Sequence, residues 1–169
     1  DKKSISLIDE KGRIILLDAT NLNSFRVIDL GRIGSLSVNS VLYDDGRIWI
    51  STIAHGVIYN NERTGKIKQL TYHVAPVSDR LSHTDVFSDI KLNENKYLAV
   101  TWNGYTVMTI DKNNQDEILT EVYSNTSSLM YRNLETRMIA AYYDSHGILW
   151  IGTDGGGVIW SDLRMQFYN

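Results

Sequence analysis

Trp102 followed by Asn103 is the pair in this 169-residue sequence whose side-chain types best suit recognition of a small polar ligand. An exposed indole stacks on the apolar face of a ring, and a neighbouring amide donates to and accepts from hydroxyls. The competing reading has Trp102 extend its strand and pack on a neighbouring sheet. His55, Asp154, Tyr131 and Arg132 are further ligand-binding candidates, because they fall in turn-like or loop-like stretches, where function concentrates. Asp79-Arg80 is a weaker pair of the same kind. For loop charges of this sort, solvation is the ordinary role.

Catalytic and metal chemistry find less support. His55, His73, His83 and His146 lack both the i, i+4 spacing and the nearby acid that suggest zinc, so no metal is expected. No Ser or Thr has His and Asp partners arranged as a triad. Gly155-Gly156-Gly157 lacks the following Lys-Ser/Thr and helix of a phosphate cradle, and reads as a connection between strands. Asp44-Asp45-Gly46-Arg47-Ile48-Trp49 has the Asp to Gly to Trp spacing of sialidase Asp-box turns, so a glycoside hydrolase is one alternative. Such an enzyme needs paired carboxylates, or a Tyr nucleophile with an arginine cluster, and the arginines here are scattered. Asp44, Asp45 and Asp144 are read as turn formers. No catalytic residue and no cofactor is expected.

These residues must be positioned by a fold, and composition bounds it. With 43% hydrophobic residues the chain can build a core, burying roughly 70% of the surface its unfolded form exposes. A 22% charged fraction and a net charge of −3 exclude a disordered acidic tail and the basic balance of a nucleic-acid binder. The longest apolar run, Met138 to Tyr143, falls far short of the roughly 20 residues that cross a bilayer, so no membrane contact by this segment is expected. The start, Asp-Lys-Lys, has no apolar stretch, which places any signal peptide or anchor outside this chain. Zero cysteine rules out disulfides, thiolate zinc sites and a cysteine nucleophile, and suits cytosol and periplasm alike.

Apolar residues fall in short alternating segments separated by Asp, Asn and Gly, which is the β pattern. The candidate strands are Ser4 to Ile8, Arg13 to Leu17, Phe25 to Leu30, Val38 to Tyr43, Arg47 to Thr52, Val57 to Tyr59 and Ile67 to Tyr72. They continue with Val86 to Leu92, Tyr97 to Thr101, Thr106 to Ile110, Ile118 to Tyr123, Met138 to Tyr143, Ile148 to Thr153 and Val158 to Trp160. A helix over Ser127 to Ala141 is the one helical alternative.

The strands repeat. Tyr43 to Thr52, Leu92 to Thr101 and Asp144 to Thr153 each read as a polar turn followed by a strand closing on Thr. Thr52, Thr101 and Thr153 stand 49 and 52 residues apart, and each is followed by a Gly and another short strand. Gly46 and Gly147 mark the turns, Trp49 and Trp150 are expected to fill the space between sheets, and Leu98 takes that place in the middle unit. Ser51 and Gly152 are small where a neighbouring sheet can approach. A period near 50 with four strands per unit indicates a β-propeller. Aligning Gly12 with Gly56, Gly104 and Gly157 divides the chain into a partial blade over 1–35 lacking its inner strand, blades over 36–80 and 81–133, and a blade over 134–169 with an incomplete outer strand. The expectation is thus an all-β chain, a β-propeller fragment of about three and a half four-stranded blades, below the four or more that close a ring. Unpaired faces at both ends predict a homo-oligomer. Loops from one end of the blades then gather His55, Trp102-Asn103 and Asp154, with Tyr131-Arg132 and Asp79-Arg80 in the long connections.

The string Asp144-Ser145-His146-Gly147-Ile148-Leu149-Trp150-Ile151-Gly152-Thr153-Asp154-Gly155-Gly156-Gly157-Val158 resembles the D-x-x-G-x-L-W-I-G-T-x-x-G-G-L repeat of the two-component regulator propeller family. Leu81-Ser82-His83-Thr84-Asp85-Val86 resembles the L-S-S-N-x-V segment that leads into such a blade. The middle unit departs from the pattern at Asn93-Glu94-Asn95-Lys96 and at Leu98. The resemblance implies the periplasmic sensor region of a hybrid two-component histidine kinase, often from gut Bacteroidetes, responding to oligosaccharides from polysaccharide breakdown. It implies binding without catalysis, with the rest of the sensor chain and its kinase as partners and a population shift as the signal. The alternatives are a lectin-like or protein-interaction propeller, although the Gly-His and Trp-Asp marks of WD40 repeats do not recur.

Overall fold

A computed structural model describes residues 4–9, 13–29, 31, 36–73, 80–111, 113, 117–124 and 137–164. Among the described residues fourteen strands form four antiparallel sheets, each a meander in which sequence neighbours are spatial neighbours. The first sheet is β1 (Ser4–Ile8), β2 (Ile14–Asp18) and β3 (Asn21–Ile28). The second is β4 (Val38–Asp44), β5 (Arg47–Thr52), β6 (Val57–Asn61) and β7 (Lys66–Leu70). The third is β8 (Val86–Lys91), β9 (Lys96–Thr101), β10 (Gly104–Ile110) and β11 (Ile118–Ser124). The fourth is β12 (Met138–Tyr143), β13 (Ile148–Thr153) and β14 (Gly157–Asp162). Where a helix was the alternative, Met138 to Ala141 is strand. Tyr131, Arg132, Gly12, Asp79 and the expected outer-strand residues Gln166 to Tyr168 lie outside the described residues.

The sheets stack face to face, as propeller blades do. Alternation along β9 sends Tyr97 and Ala99 toward the second sheet and Leu98 and Val100 toward the fourth, so a strand covered on both sides is apolar almost throughout. Between the second and third sheets Trp49 is completely buried, with ring centroids 4.5 Å from Tyr97 and 4.6 Å from Tyr59. Ile14, Leu16, Ile48, Ile50 and Ile58 fill the space between the first and second sheets, where Ser6 Oγ also donates to Val41 O at 3.0 Å. Trp150 departs from expectation. It sits in register with Tyr142 and Trp160 on the outer face of the fourth sheet and is 40% exposed, because among the described residues no further sheet lies on that side. For the same reason Gly152 meets only Ala140 of its own sheet.

The repeated residues have separable roles. Thr52 Oγ1 donates to Gly56 O at 2.7 Å, Thr101 Oγ1 to Gly104 O at 3.1 Å and Thr153 Oγ1 to Gly157 O at 2.8 Å. Each closing Thr therefore ties off the hairpin that follows it. Asp45 and Gly46, with φ of 48° and 80°, make the primed turn that a two-residue hairpin requires. Asp144 organises the longer turn of the fourth sheet: it accepts from His146 N and Ile148 N through Oδ1 and from Trp150 Nε1 through Oδ2. The indole bond first, then the backbone bonds, hold its carboxyl below the usual range. Asp44, also read as a turn former, does something else: it binds Lys91 Nζ at 2.7 Å and Tyr97 OH at 2.6 Å, clasping the second sheet to the third. It stands one residue nearer its Trp than Asp144 does, so it cannot make the same indole bond.

Gly56 and Gly104 allow strands to meet at the hairpin ends. A Cβ on Gly104, at φ +136°, would lie 2.1 Å from Tyr123 O, and one on Gly56, at φ +74°, 1.9 Å from Leu70 O. Gly104→Ala is expected to cost about 3 kcal/mol and lower the melting temperature by about 10 °C, from backbone strain added to displacement of β11. Gly65→Ala, at φ +72° with open space around it, should cost only the strain. Equal losses in thermal denaturation would disprove the role assigned to the close approach.

Candidate functional site

One end of the stack is built to hold side chains still. Backbone bonds Ile53 N to Ser37 O (2.9 Å), Trp102 N to Asp85 O (3.0 Å) and Asp154 N to Arg137 O (2.8 Å) recur at the same place in three sheets. Ile53, Trp102 and Asp154 thus open equivalent hairpin loops, while Ser37, Asp85 and Arg137 lie just before the innermost strands. Each innermost strand then carries a bulge, at Asn39, Phe87 and Ile139. A bulge bends its strand and redirects a side chain. In the third sheet it sets Phe87 beside Trp102, ring centroids 6.1 Å apart.

The repeat also explains how neighbouring blades touch here. Asp85 reaches back to the second sheet, its Oδ1 accepting from Ala54 N at 2.8 Å. Arg137, one repeat later, reaches back to the third sheet and lays its guanidinium over the Trp102 indole, 3.7 Å from the ring centroid. Arg137 Nη1 also lies 3.5 Å from Asp154 Oδ2. His83 is nearly parallel to Trp102 at 6.3 Å, and Tyr72 follows His83 at 6.4 Å and packs on the edge of His73 at 4.7 Å. His83 Nδ1 accepts from Asp85 N at 3.0 Å, which leaves the proton of a neutral ring on Nε2. Tyr72, His83, Phe87 and Trp102 form a band of flat groups crossing the loop end, with Arg137 and Asp154 at one side.

Trp102 remains 37% exposed, although part of one indole face is taken by Arg137. Asp154 joins Trp102 through Arg137, and Asn103 follows Trp102 in the hairpin loop, half-buried. His55 is exposed, its Nδ1 3.1 Å from Ile53 O, and stands in the equivalent loop of the second sheet. The sequence does not mark Arg137, His83, Phe87 or Tyr72 as ligand-binding candidates. The signal available for Arg137 was its place in the repeat, equivalent to Asp85. At the opposite end of the third sheet a cavity of about 630 Å³ opens between Asn93–Lys96 and Thr109–Asp111. Its lining joins Glu94, Lys96 and Asp111 to the aliphatic Ile110 and Leu119 and offers no aromatic plane, unlike the loop end. Among the described residues no group of three or more His, Asp or Glu lies close enough to hold a metal, and no helix is long and apolar enough to cross a membrane.

Comparison with known proteins agrees with this architecture. No curated protein matches the sequence. Among solved structures, the extracellular domain of BT3049 from B. thetaiotaomicron, described as a hybrid two component system, superposes with a TM-score of 0.63 at 17% identity, over 97% of this chain and 24% of that one. The extracellular domain of BT4673 from B. thetaiotaomicron, described as a one component system, gives 0.55 at 16% identity, covering 97% and 23%. BamB from Moraxella catarrhalis gives 0.54 at 13% identity, covering 97% and 47%. At these identities the likeness is one of fold, and the chain spans about a quarter of the length of the first two. The family model of the two component regulator propeller matches residues 134–155, the stretch that includes β12, β13 and the Asp144 turn. This chain therefore carries a two-component regulator propeller repeat set in a stack of β-propeller blades.

Proposed function

We propose that the chain is a ligand-sensing segment of the periplasmic region of a hybrid two-component histidine kinase, and that it binds oligosaccharide at the Trp102 loop end. The observation that carries this reading is the band of flat side chains around a partly exposed Trp102, mounted on three rigid hairpin ends of a propeller with a regulator repeat. Sugar rings stack on such planes, and the amide of Asn103 suits ring hydroxyls, with Asp154 at the edge of the site. The chain works by binding alone. Ligand shifts the arrangement of paired sensor chains, and that shift passes to the kinase as a change of population. Self-association through the outer sheet faces belongs to the same proposal.

An oligosaccharide array probed with the 169-residue chain tests it. Binding is expected for at least one class of glycan, with affinity reduced about tenfold or more by Trp102→Ala, as for loss of one stacking contact worth about 1.5 kcal/mol. An array with no hit, or hits indifferent to the substitution, would remove Trp102 from the site. Glycosidase or phosphotransfer activity in the purified chain would contradict the non-catalytic role.

A further inference from the structure

We infer that the ligand of the Trp102 site is an acidic saccharide, and that Arg137 selects it by pairing with a uronate carboxylate; this rests on the oligosaccharide reading above. The guanidinium is already in place. Its Cζ lies over the indole, 3.7 Å from the ring centroid, and its backbone is tied to the hairpin through Asp154 N and Arg137 O at 2.8 Å, so little side-chain freedom remains to be lost on binding. Its charge is poorly satisfied. The ion pair to Asp154 is a single contact at 3.5 Å between two half-exposed side chains, the weakest class of salt bridge. Among the described residues a second carboxylate on this surface, Asp85, is committed to Ala54 N through Oδ1, while its Oδ2 stands 3.8 Å from His83 Nδ1.

A carboxylate carried by the ligand can engage two guanidinium N–H groups at once, a geometry that Asp154 does not use. It displaces Asp154 and leaves the stack on Trp102 intact, while the sugar ring lies along the exposed surface of Trp102 and Tyr72. A neutral sugar has no such exchange to offer. To reach the covered part of the indole it must break the guanidinium contact without replacing the charge. The site therefore discriminates by charge, with Asp154 as an internal competitor.

The test is an array of uronate-bearing oligosaccharides, their methyl esters and neutral oligosaccharides, probed with the wild-type chain, Arg137→Gln and Asp154→Asn. Uronates are expected to bind at least about tenfold better than their esters, with that preference lost in Arg137→Gln and binding weakened by added salt. Asp154→Asn should tighten uronate binding several-fold, which a purely structural Arg137 would not produce. Esters and neutral glycans that bind as tightly as the uronates, or uronate binding unchanged in Arg137→Gln, overturn the assignment of Arg137 while leaving the oligosaccharide reading standing. If no oligosaccharide binds, both fall.

Discussion

Sedimentation of the 169-residue chain at rising concentration is expected to show growth beyond the monomer, driven by two sheet faces that match each other. The outer face of the fourth sheet presents Tyr142, Trp150, Val158 and Trp160, the last 59% exposed. The outer face of the first sheet presents Ile5, Leu7, Phe25 and Val27, with Phe25 63% exposed. Inside the stack the same two kinds of face are pressed together: Trp49, in register with Trp150 along the repeat, is fully covered by Tyr97 and its neighbours. Half-burying eight such side chains is worth on the order of 8 kcal/mol, comparable with the 4–15 kcal/mol that rigid-body association costs. Association is therefore expected to be weak and concentration-dependent. The contact is heterologous, one face against a different one, which gives a sharp control. Trp160→Glu and Phe25→Glu should each abolish growth, yet an equimolar mixture should form a dimer, because each variant keeps the face the other lacks. A monomer at all concentrations, or a mixture that stays monomeric, would refute the pairing.

Each of the fourteen strands among the described residues overlaps a segment marked by short apolar runs, mostly alternating, between turn residues, and Ser4–Ile8, Arg47–Thr52, Met138–Tyr143 and Ile148–Thr153 agree to the residue. Alternation works where one or both faces are covered, since burial then decides residue type. It fails at β3, which begins at Asn21 rather than Phe25, because an outermost strand open to water needs no apolar residue to start it. Periodicity also located the threonines and turn glycines, but not what each Asp does. Asp44 and Asp144 look alike in sequence, and a single residue of spacing sends one to the next sheet and the other to its own indole.

At the loop end Trp102 and Asp154 could be named because residue type and turn position suffice. Arg137, His83 and Phe87 could not, because their proximity to Trp102 depends on how far each blade reaches back over the preceding one and on a bulge that turns Phe87. Those are properties of packing between repeats, and no single repeat records them.

Asp89 shows the same limit, and its expected effect is large. It reads as a polar residue in an alternating strand, yet β8 carries it into the interface with the second sheet. There Oδ2 accepts from Ser51 Oγ at 2.5 Å, Asp89 N donates to Ser40 Oγ at 3.2 Å, and Oδ1 is buried without a hydrogen-bond partner. The nearest ammonium along the strand, Lys91, is held by Asp44. Burial dominates and the Ser51 bond only partly offsets it, so the carboxyl is pushed up to about 7 from an unfolded value of 3.8. Between these values the folded chain holds a proton that the unfolded chain has released. Stability from this group is therefore complete below about pH 4, falls as pH rises toward 7 and is lost above it. A shift of this size corresponds to about 4 kcal/mol at most. Asp89→Asn keeps the shape and the Ser51 bond but cannot ionise. Its melting temperature relative to wild type should rise by about 10 °C between pH 4 and pH 8, whatever constant penalty the buried amide adds. Parallel pH profiles for the two proteins would show that Asp89 is ionised in the fold throughout, and that the interface supplies a partner for Oδ1.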